Sequence, residues 1–309
     1  MTGGAGFIGS NLVDALLARG DEVAVVDDLS TGRRANLEGA LAAGATLHEL
    51  DVCDAERLTA AVREEAPEVV FHLAAQIDVR RSVADPAADA RVNVEGTINL
   101  LAAAHAAGAR RVVYSSTGGA IYGEADVVPT SEDAPIRPLS PYGQAKYAAE
   151  GYCAHFATLH GLQTISLRYA NVYGPRQDPL GEGGVIAIFC GRLHAGGAPT
   201  VFGDGRQTRD YVYVGDVVVA NLLAADSELT GSYNVGTGVE TSVLDLVGAF
   251  RELAGGAPFE PEHAPARAGE VLHSCLDAGR ARAALGWEPQ VDLAAGLRLT
   301  LAQVAQAAR

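Results

Sequence analysis

Short segments rich in β-branched residues alternate with longer amphipathic segments along the first half of the chain. This pattern predicts strands at 22–26, 46–50, 69–73, 111–115 and 164–168. Between them it predicts helices at 8–19, 55–65, 87–107 and 142–160, several of which end at a glycine. Strands that alternate with helices form a parallel sheet that is covered on both faces. We therefore expect a doubly wound α/β domain.

The second half of the chain has a looser pattern, with loops that contain glycine and proline. It predicts a helix at 185–195, short strands at 200–202 and 211–214, a strand at 233–235 and a helix at 242–255. We expect the strand at 233–235 to return to the main sheet, so that the two regions interleave. The predicted division is a first domain at 1–174, to which 211–240 returns, and a smaller α/β substrate-binding region at 175–210 and 241–309.

Three glycines spaced three residues apart, Gly3, Gly6 and Gly9, lead into the first predicted helix. In a dinucleotide-binding turn the first glycine permits the tight turn and the second lets the backbone approach a pyrophosphate. The third lets the helix pack closely against the sheet, and the helix N-terminus faces the anion. The spacing therefore predicts a Rossmann-type domain. The alternative is a glycine-rich turn without a ligand.

Asp27 adds to this signal because it follows the next predicted strand, where a carboxylate accepts hydrogen bonds from the adenosine ribose hydroxyls. NAD has a free 2′-hydroxyl at this ribose, so Asp27 favours NAD over NADP. Arg33 and Arg34 follow closely enough to keep NADP open as an alternative.

Only Met1 precedes Thr2, although a glycine loop of this kind follows a strand. That strand is central in a doubly wound sheet, and its absence would leave a gap of about 4.8 Å with unpaired backbone groups on both sides. We therefore expect a truncated first strand and a native start upstream of Met1. The intact mass of the protein from its native source would test this expectation.

Composition and charge exclude several classes of protein. The 309 residues carry 38 acidic and 23 basic side chains, for a formal charge of −15, whereas a nucleic-acid partner requires clustered lysine and arginine. No apolar run approaches the roughly 18 residues of a membrane span, and no signal peptide opens the chain, so we expect a cytoplasmic protein without a membrane partner. The four cysteines lack metal-ligand spacing, and we expect buried thiols and no metal site.

The chain has one lysine, Lys146, which lies four residues after Tyr142 in a predicted helix. This spacing puts both side chains on one face of the helix. A phenol with a pKa of about 10 becomes a base near neutral pH only when its phenolate is stabilised, which an adjacent ammonium and an oxidised nicotinamide together supply. Tyr142 is therefore the candidate base and Lys146 the candidate ammonium.

Ser115 and Thr117 end a predicted strand, at the edge of the sheet where α/β proteins bind ligands. We choose Thr117 as the hydroxyl that bonds the reacting oxygen. Without Tyr142 and Lys146, hydroxyl residues at a strand end would indicate only a turn.

Several motifs together resemble the extended short-chain dehydrogenase/reductase family, and within it the UDP-sugar 4-epimerases. The resemblance covers nearly the whole chain. The matching segments are TGGAGFIG at 2–9, DDLSTG at 27–32, HLAA at 72–75, NVEGT at 93–97, Tyr142 with Lys146, and LRYANVYGPR at 167–176.

The resemblance implies that the chain holds NAD tightly. Phe7 and Ile8 would line the pyrophosphate, and Tyr169 would lie by the nicotinamide. Asp51 and Val52 would flank adenine. The other residues implied to border the cofactor are Gly3, Gly6, Gly9, Asp27, Asp28, Leu29, Ser30, Thr31, Gly32, Leu73, Ala74, Ala75, Gln76, Asn93, Ser115, Tyr142 and Lys146.

For the substrate, the resemblance implies a UDP-sugar bound by the second region. Arg209 and Arg267 would neutralise the diphosphate, and Glu270 would bond the uridine ribose. A small residue at Ser274 would leave room for a 2-acetamido group, which implies N-acetylated UDP-sugars as substrates beside UDP-glucose and UDP-galactose. The other implied contacts are Thr117, Asn171, Val185, Val201 and Phe202.

The implied reaction is a 4-epimerisation through a transient 4-keto sugar. Related 4,6-dehydratases carry Asp-Glu after the active-site threonine, whereas Thr117 is followed by Gly118 and Gly119, so the acid that eliminates water is missing. A UDP-glucuronate 4-epimerase stays open as an alternative. A non-catalytic NAD-binding regulator is disfavoured because Tyr142 and Lys146 are both present. The resemblance also implies a homodimer that pairs through the helix containing Tyr142 and the long helix before it.

Overall fold

The computed structural model describes residues 1–179, 184–256, 258–266 and 271–307. The elements of the first half are α1 (Phe7–Arg19), β1 (Ala24–Asp27), α2 (Glu38–Ala42), β2 (Thr46–Glu49), α3 (Ala55–Glu65), β3 (Val69–His72), α4 (Val79–Ala84), α5 (Pro86–Ala90), α6 (Gly96–Ala106), β4 (Arg111–Thr117), α7 (Gly118–Ile121), α8 (Pro141–His160) and β5 (Gln163–Tyr169). Those of the second half are β6 (Asn171–Tyr173), α9 (Val185–His194), β7 (Thr200–Phe202), β8 (Thr208–Tyr213), α10 (Val214–Asp226), β9 (Gly231–Val235), β10 (Glu240–Ser242), α11 (Val243–Leu253), β11 (Glu262–Ala264), β12 (His273–Ser274), α12 (Gly279–Leu285) and α13 (Leu293–Ala307).

The main sheet is parallel and buried on both faces. β3, β4, β5 and β9 pair in that order, and β1 pairs with β2. Neighbouring residues of one strand enter different cores, because side chains alternate across a sheet. Val113 packs in the core shared with α1 and α10, and Val112 packs in the core shared with α3, α6 and α8. The predicted doubly wound α/β fold is confirmed.

Thr2 joins the two parts of this sheet. It forms parallel bridges with Val26 on β1 and with His72 on β3. The Thr2 amide donates to the Phe71 carbonyl at 2.9 Å, and the Val26 amide donates to the Met1 carbonyl at 2.7 Å. The expected central row of unpaired backbone groups is therefore filled at the carboxyl ends of β1 and β3, where the glycine loop begins.

The helix predicted at 87–107 is interrupted by a π-helix at Arg91–Glu95, between α5 and α6. Such a wide turn adds one residue and often marks a functional site. It contains Asn93, which is buried and donates from its side-chain amide to the Gln76 carbonyl at 2.9 Å, while its Oδ1 accepts from the Gln76 amide at 3.0 Å. Apolar periodicity did not predict this change, because an Ala-rich segment has little amphipathic contrast.

A small sheet around β8 is built from both predicted regions, because β6 and the end of β8 fall within the predicted first domain. β10 pairs with β8 in antiparallel orientation, β12 and β6 pair with it in parallel, and β7 pairs with β11. The strand predicted at 211–214 corresponds to β8, which begins three residues earlier and ends one residue earlier. α10 follows it directly. Phe189, Phe250 and Phe259 form the centre of the core beneath this region. β9 returns beside β5 of the main sheet, as the sequence predicts.

Other structural findings concern the whole described chain. Among the described residues, no helix combines the length and the apolar character of a membrane span. Nor does this part of the chain contain a cluster of three or more His, Cys, Asp or Glu side chains that would suit a metal ion. The four cysteines are free thiols; Cys153, Cys190 and Cys275 are buried and Cys53 is partly buried.

Candidate active site

The glycine loop makes a backbone cradle at the N-terminus of α1. Gly3 has a φ of +70°, and a Cβ there would lie 2.5 Å from the Ala74 amide nitrogen. A Cβ at Gly9 would overlap the Gly3 carbonyl, so the helix packs against the loop as the spacing predicts. Gly6 is the N-cap of α1, and no side chain caps this end. The unbonded first-turn amides of Phe7 and Ile8 therefore suit a pyrophosphate.

Asp27 lies beside this cradle, at the end of β1. Its carboxylate accepts from the Ala5 amide and from the Leu29 amide, each at 2.9 Å, and burial raises its pKa. A Cβ at Gly32 would come within 2.7 Å of the carboxylate, so a glycine keeps the loop close to it. Asp28 is exposed and accepts from the amide and hydroxyl of Ser30. Asp27 is thus the buried and fixed carboxylate of the pair.

The two arginines that kept NADP open already have acidic partners. Arg33 forms an ion pair with Asp178 at 2.7 Å, and Arg34 approaches Glu49 at 3.9 Å. A 2′-phosphate would have to compete with these carboxylates for the guanidinium groups. The arrangement of Asp27, Arg33 and Arg34 therefore fits NAD better than NADP.

The segments after β2 and β3 carry further residues that were predicted to border the cofactor. Val52 is buried against Gly96, where a Cβ would come within 2.7 Å of its side chain, and its carbonyl accepts from Asn99. Asp51 is exposed next to it. Leu73, Ala74, Ala75 and Gln76 follow β3 and are partly buried.

Tyr142, Lys146 and Thr117 meet at the carboxyl end of β4. Ser140 caps α8 by accepting from the Gly143 amide at 3.2 Å, and Pro141 occupies the first turn, so the helix begins just before Tyr142. The Lys146 ammonium donates to the Ser115 carbonyl at 2.8 Å and lies 5.0 Å from the centre of the Tyr114 ring. These contacts fix the ammonium beside the strand end that carries Thr117.

Burial controls the charge of both groups. It raises the pKa of Tyr142 to about 12, while the Thr117 side chain acts in the opposite direction and lowers it. Burial also lowers the pKa of Lys146 to about 8. Burial therefore keeps Tyr142 a neutral phenol near pH 7, because the cost of moving a phenolate out of water dominates its pKa. The second positive charge expected from an oxidised nicotinamide is needed as well.

The structure brings together two pairs of the residues predicted to bind the substrate. A Cβ at Gly119 would lie 3.5 Å from Oδ1 of Asn171 and 4.0 Å from Oγ1 of Thr117, so the glycine leaves the space between them open. Ser274 on β12 pairs with Arg209 on β8. The structure therefore brings Thr117 close to Asn171, and Ser274 next to Arg209.

Asp210, next to Arg209, connects β8 to two neighbouring segments of the chain. It is buried and accepts from the amides of Thr237, Gly238 and Leu276 at 2.8, 3.2 and 3.2 Å, and from the Thr237 hydroxyl. Leu276 in turn contacts Gly118, where a Cβ would overlap its side chain. One carboxylate thus holds the loop after β9 and the end of β12 against β8.

The remaining predicted substrate residues are less informative. Arg267 and Glu270 lie outside the described residues. Val201 is fully buried in the core of the second region, which leaves only its main chain for a ligand. Val185 is partly buried at the start of α9, and Phe202 is partly buried at the end of β7.

A buried ion pair between α8 and β5 was not predicted. Glu150 on α8 and Arg168 on β5 form a bidentate ion pair, in which Nη2 donates to Oε2 at 2.7 Å. Both side chains are almost fully buried. Ser116 and Ser232 also donate to Glu150. Tyr169 is buried nearby, and its hydroxyl donates to Oδ1 of Asn221 on α10 at 3.0 Å. The only sequence signal for the pair was an acid on the Tyr142–Lys146 face and an arginine within a strand.

Comparisons with known proteins agree with this geometry. A family model described as "NAD dependent epimerase/dehydratase family" matches residues 1–236. A UDP-glucose 4-epimerase of Mycolicibacterium smegmatis is 52% identical over 303 residues, which are 97% of this chain and 96% of that protein.

Two solved structures are similar over nearly the whole chain. The Thermotoga maritima UDP-glucose 4-epimerase with UDP-glucose has a TM-score of 0.96 at 47% identity and covers 100% of this chain and 98% of its own. The Thermus thermophilus UDP-glucose 4-epimerase complex with NAD has a TM-score of 0.91 at 46% identity and covers 99% and 98%. Together with the family model, these similarities show that the chain belongs to the NAD-dependent epimerase/dehydratase family.

Proposed function

We propose that the protein is an NAD-dependent 4-epimerase of UDP-hexoses, with UDP-glucose and UDP-galactose as substrates. The observation that carries this proposal is the meeting of Tyr142, Lys146 and Thr117 beside a glycine cradle that suits a pyrophosphate. The relatives named UDP-glucose 4-epimerases, one solved with UDP-glucose and another with NAD, support it.

The cofactor residues that we propose are those predicted from the sequence. The amides of Phe7 and Ile8 would bind the pyrophosphate, and the Asp27 carboxylate would accept from the adenosine ribose. Val52 and Asp51 would flank adenine, as the sequence predicts. When bound, NAD would supply a reversible acceptor for the hydride of sugar C4.

The chain's own residues perform the proton chemistry. Tyr142 takes the proton of the sugar 4-hydroxyl and later returns a proton to the 4-keto oxygen. Thr117 donates a hydrogen bond to the same oxygen and so orients it. Lys146 stays charged and stabilises the phenolate, and the guanidinium of Arg209 neutralises the diphosphate, with Arg267 and Glu270 proposed to assist it. The Tyr142 steps each move one proton to or from the sugar oxygen, and no net oxidation results because the hydride that C4 would give to NAD would be returned to C4.

Elimination of water is disfavoured by the same site. Gly118 and Gly119 provide no acid or base next to Thr117. Glu124, the next acidic residue along the chain, accepts from the Leu272 amide at 2.7 Å and so supports the segment before β12. This contact favours epimerisation over 4,6-dehydration as the outcome of C4 oxidation.

An assay without added cofactor tests the proposal. The purified protein is incubated with UDP-glucose, UDP-galactose, UDP-GlcNAc and UDP-glucuronate in turn, and the epimers are separated chromatographically. We expect UDP-glucose and UDP-galactose to interconvert. Conversion of UDP-glucuronate alone would establish the alternative substrate, and conversion of none by protein that contains NAD would favour a binding regulator.

Replacing Ser274 with tyrosine selectively reduces turnover of N-acetylated UDP-sugars. Ser274 is partly buried beside Arg209, and a large ring there would fill the space for a 2-acetamido group. We expect kcat/KM for UDP-GlcNAc to fall about tenfold or more, equivalent to about 1.4 kcal/mol, with UDP-glucose little affected. Ser274→Ala is the matched control and should convert both sugars. Equal losses on both sugars in Ser274→Tyr would contradict the assignment.

We also propose the domain division stated above, a cytoplasmic location and a homodimer. The outer side of α8 supports the homodimer, because Tyr147, Tyr152 and Leu159 are 40%, 39% and 72% exposed. A Cβ at Gly151 would meet no atom within 4 Å, so a second helix has room to approach. Light scattering should give twice the chain mass of 31.9 kDa. A monomer at micromolar concentration would refute this part of the proposal.

A further inference from the structure

Asp89 is a buried carboxylate that the proposed reaction does not use. It lies on α5 and is 1% exposed. Its Oδ1 accepts from Nε2 of Gln76 at 2.7 Å and from Nδ2 of Asn93 at 3.1 Å. Within the described parts of the chain, its Oδ2 has no hydrogen-bond partner. Both donors are neutral amides, so they satisfy one oxygen without compensating the charge.

Two buried carboxylates, Asp89 and Glu150, raise the pKa of Lys146. They differ in whether a neighbouring cation balances their own charge. Glu150 is paired with the Arg168 guanidinium at 2.7 Å, which balances its charge locally. In the described part of the chain, the only hydrogen-bond donors to the Asp89 carboxylate are the neutral amides of Gln76 and Asn93. Its negative charge raises the pKa of Lys146 against the effect of burial, and it also raises the pKa of Tyr142. α5 packs against α8, which carries the buried Lys146 ammonium, so this cation partly offsets the charge of Asp89.

Other titratable groups around α8 do not take over this role. Burial lowers the pKa of His72 to about 3 and raises that of Cys153 to about 12, so both are neutral at pH 7. Burial also raises the pKa of Tyr114 well above its usual value. The charged and titratable side chains on α4, the π-helix and α6 lie at or near the surface; they are Asp78, Arg80, Arg81, Arg91, Glu95 and His105.

We propose that Asp89 is a positioning residue whose buried negative charge sets the protonation of the Tyr142–Lys146 pair. It favours an ammonium at Lys146 and a neutral phenol at Tyr142, because a nearby anion stabilises a cation and opposes a second anion. Through Oδ1 it also holds Gln76 and Asn93 at the cofactor cleft. This inference rests on the proposed catalytic roles of Tyr142 and Lys146.

The single lysine makes a direct test possible. Protein labelled with ¹³C at lysine Cε gives one side-chain NMR signal, and its titration reports Lys146 whether or not the protein is active. Asp89→Asn keeps the shape and the acceptor oxygen but removes the charge. We expect the Lys146 titration midpoint to move to lower pH in this variant. Asp85→Asn is the matched control, since Asp85 is the exposed N-cap of α5 and asparagine also caps helices. Its midpoint should match the wild type.

The pH profile of kcat gives a second readout. Loss of the Asp89 charge lowers the pKa of the Tyr142 phenol, so the acid limb of the profile moves to lower pH. It also lowers the pKa of Lys146, so the basic limb moves to lower pH as well. Below the acid-limb midpoint, Asp89→Asn should therefore be about threefold more active relative to its own maximum than the wild type is. A purely structural role would lower the whole profile without moving its limbs.

The outcomes separate this inference from the proposed function. An unchanged Lys146 midpoint in folded Asp89→Asn overturns the role of Asp89, whatever the activity. A wild type that converts no UDP-sugar overturns the proposed function and leaves the NMR result standing. If Asp89→Asn does not fold, Asp89→Ser removes the same charge and carries the same expectation. Asp89→Glu restores a charge, and its midpoint should lie nearer the wild type than that of either neutral variant.

Discussion

Replacing Tyr142 with phenylalanine lowers kcat for epimerisation by about 1000-fold, within the range that a positioned acid–base group contributes. The ring stays in place on α8, but no group remains that takes the proton of the sugar 4-hydroxyl. Thr117 donates a hydrogen bond and does not replace a base. The variant should keep its NAD, measured by absorbance after denaturation, and should bind UDP-sugars with a Kd close to that of the wild type.

Tyr147→Phe is the matched control for this substitution. Tyr147 lies on the same helix, is 40% exposed and belongs to the outer side of α8. Loss of its hydroxyl should leave kcat within about twofold of the wild type, because phenylalanine keeps the ring that the outer side of α8 would present to a second subunit. Full activity of Tyr142→Phe would refute the base assignment, and so would equal losses in both variants.

Replacing Arg168 with methionine lowers the free energy of unfolding by about 3 to 5 kcal/mol. Glu150 would keep its burial but lose the guanidinium, and among the described residues the hydroxyls of Ser116 and Ser232 would remain as its donors. Tyr122 would also lose the donor that bonds its hydroxyl at 2.8 Å. Urea denaturation of matched NAD-loaded samples measures the loss.

Two further variants separate loss of the pair from loss of one partner. Arg137→Met removes an ion pair with Asp126 whose side chains are 55% and 70% exposed, and it should cost no more than about 1 kcal/mol. Arg168→Met combined with Glu150→Leu should recover part of the loss, because no uncompensated charge stays buried. If Arg168→Met is as stable as Arg137→Met, the buried pair does not support the sheet as described.

The main elements of the first half follow directly from the sequence, because each strand is a compact β-branched run and several of the helices between the strands end at a glycine. Short elements with mixed composition were harder to predict. α10 went unpredicted, since Val214–Asp226 is apolar on nearly every side and has no helical stripe. The π-helix at Arg91–Glu95 was missed because one added residue changes no composition, and it becomes visible only where Asn93 meets Gln76.

The catalytic pair was predictable because the base and the ammonium lie on consecutive turns of one helix. Asp89, Asp210 and the Glu150–Arg168 pair were not, because their importance arises from contacts between segments 13 to 66 residues apart. Acidic residues are usually exposed, and composition alone gives no reason to bury these. Long-range contacts of buried charged side chains therefore form the part of the site that only the three-dimensional structure reveals.

Asp210 has a further consequence for how this scaffold could acquire new sugar preferences. Three of its hydrogen bonds come from backbone amides, which every residue except proline provides. The frame behind the sugar therefore does not depend on which side chains point toward it. Natural variants and designed libraries can diversify Ser274 and neighbouring lining positions while the anchoring carboxylate keeps the two walls at a constant separation.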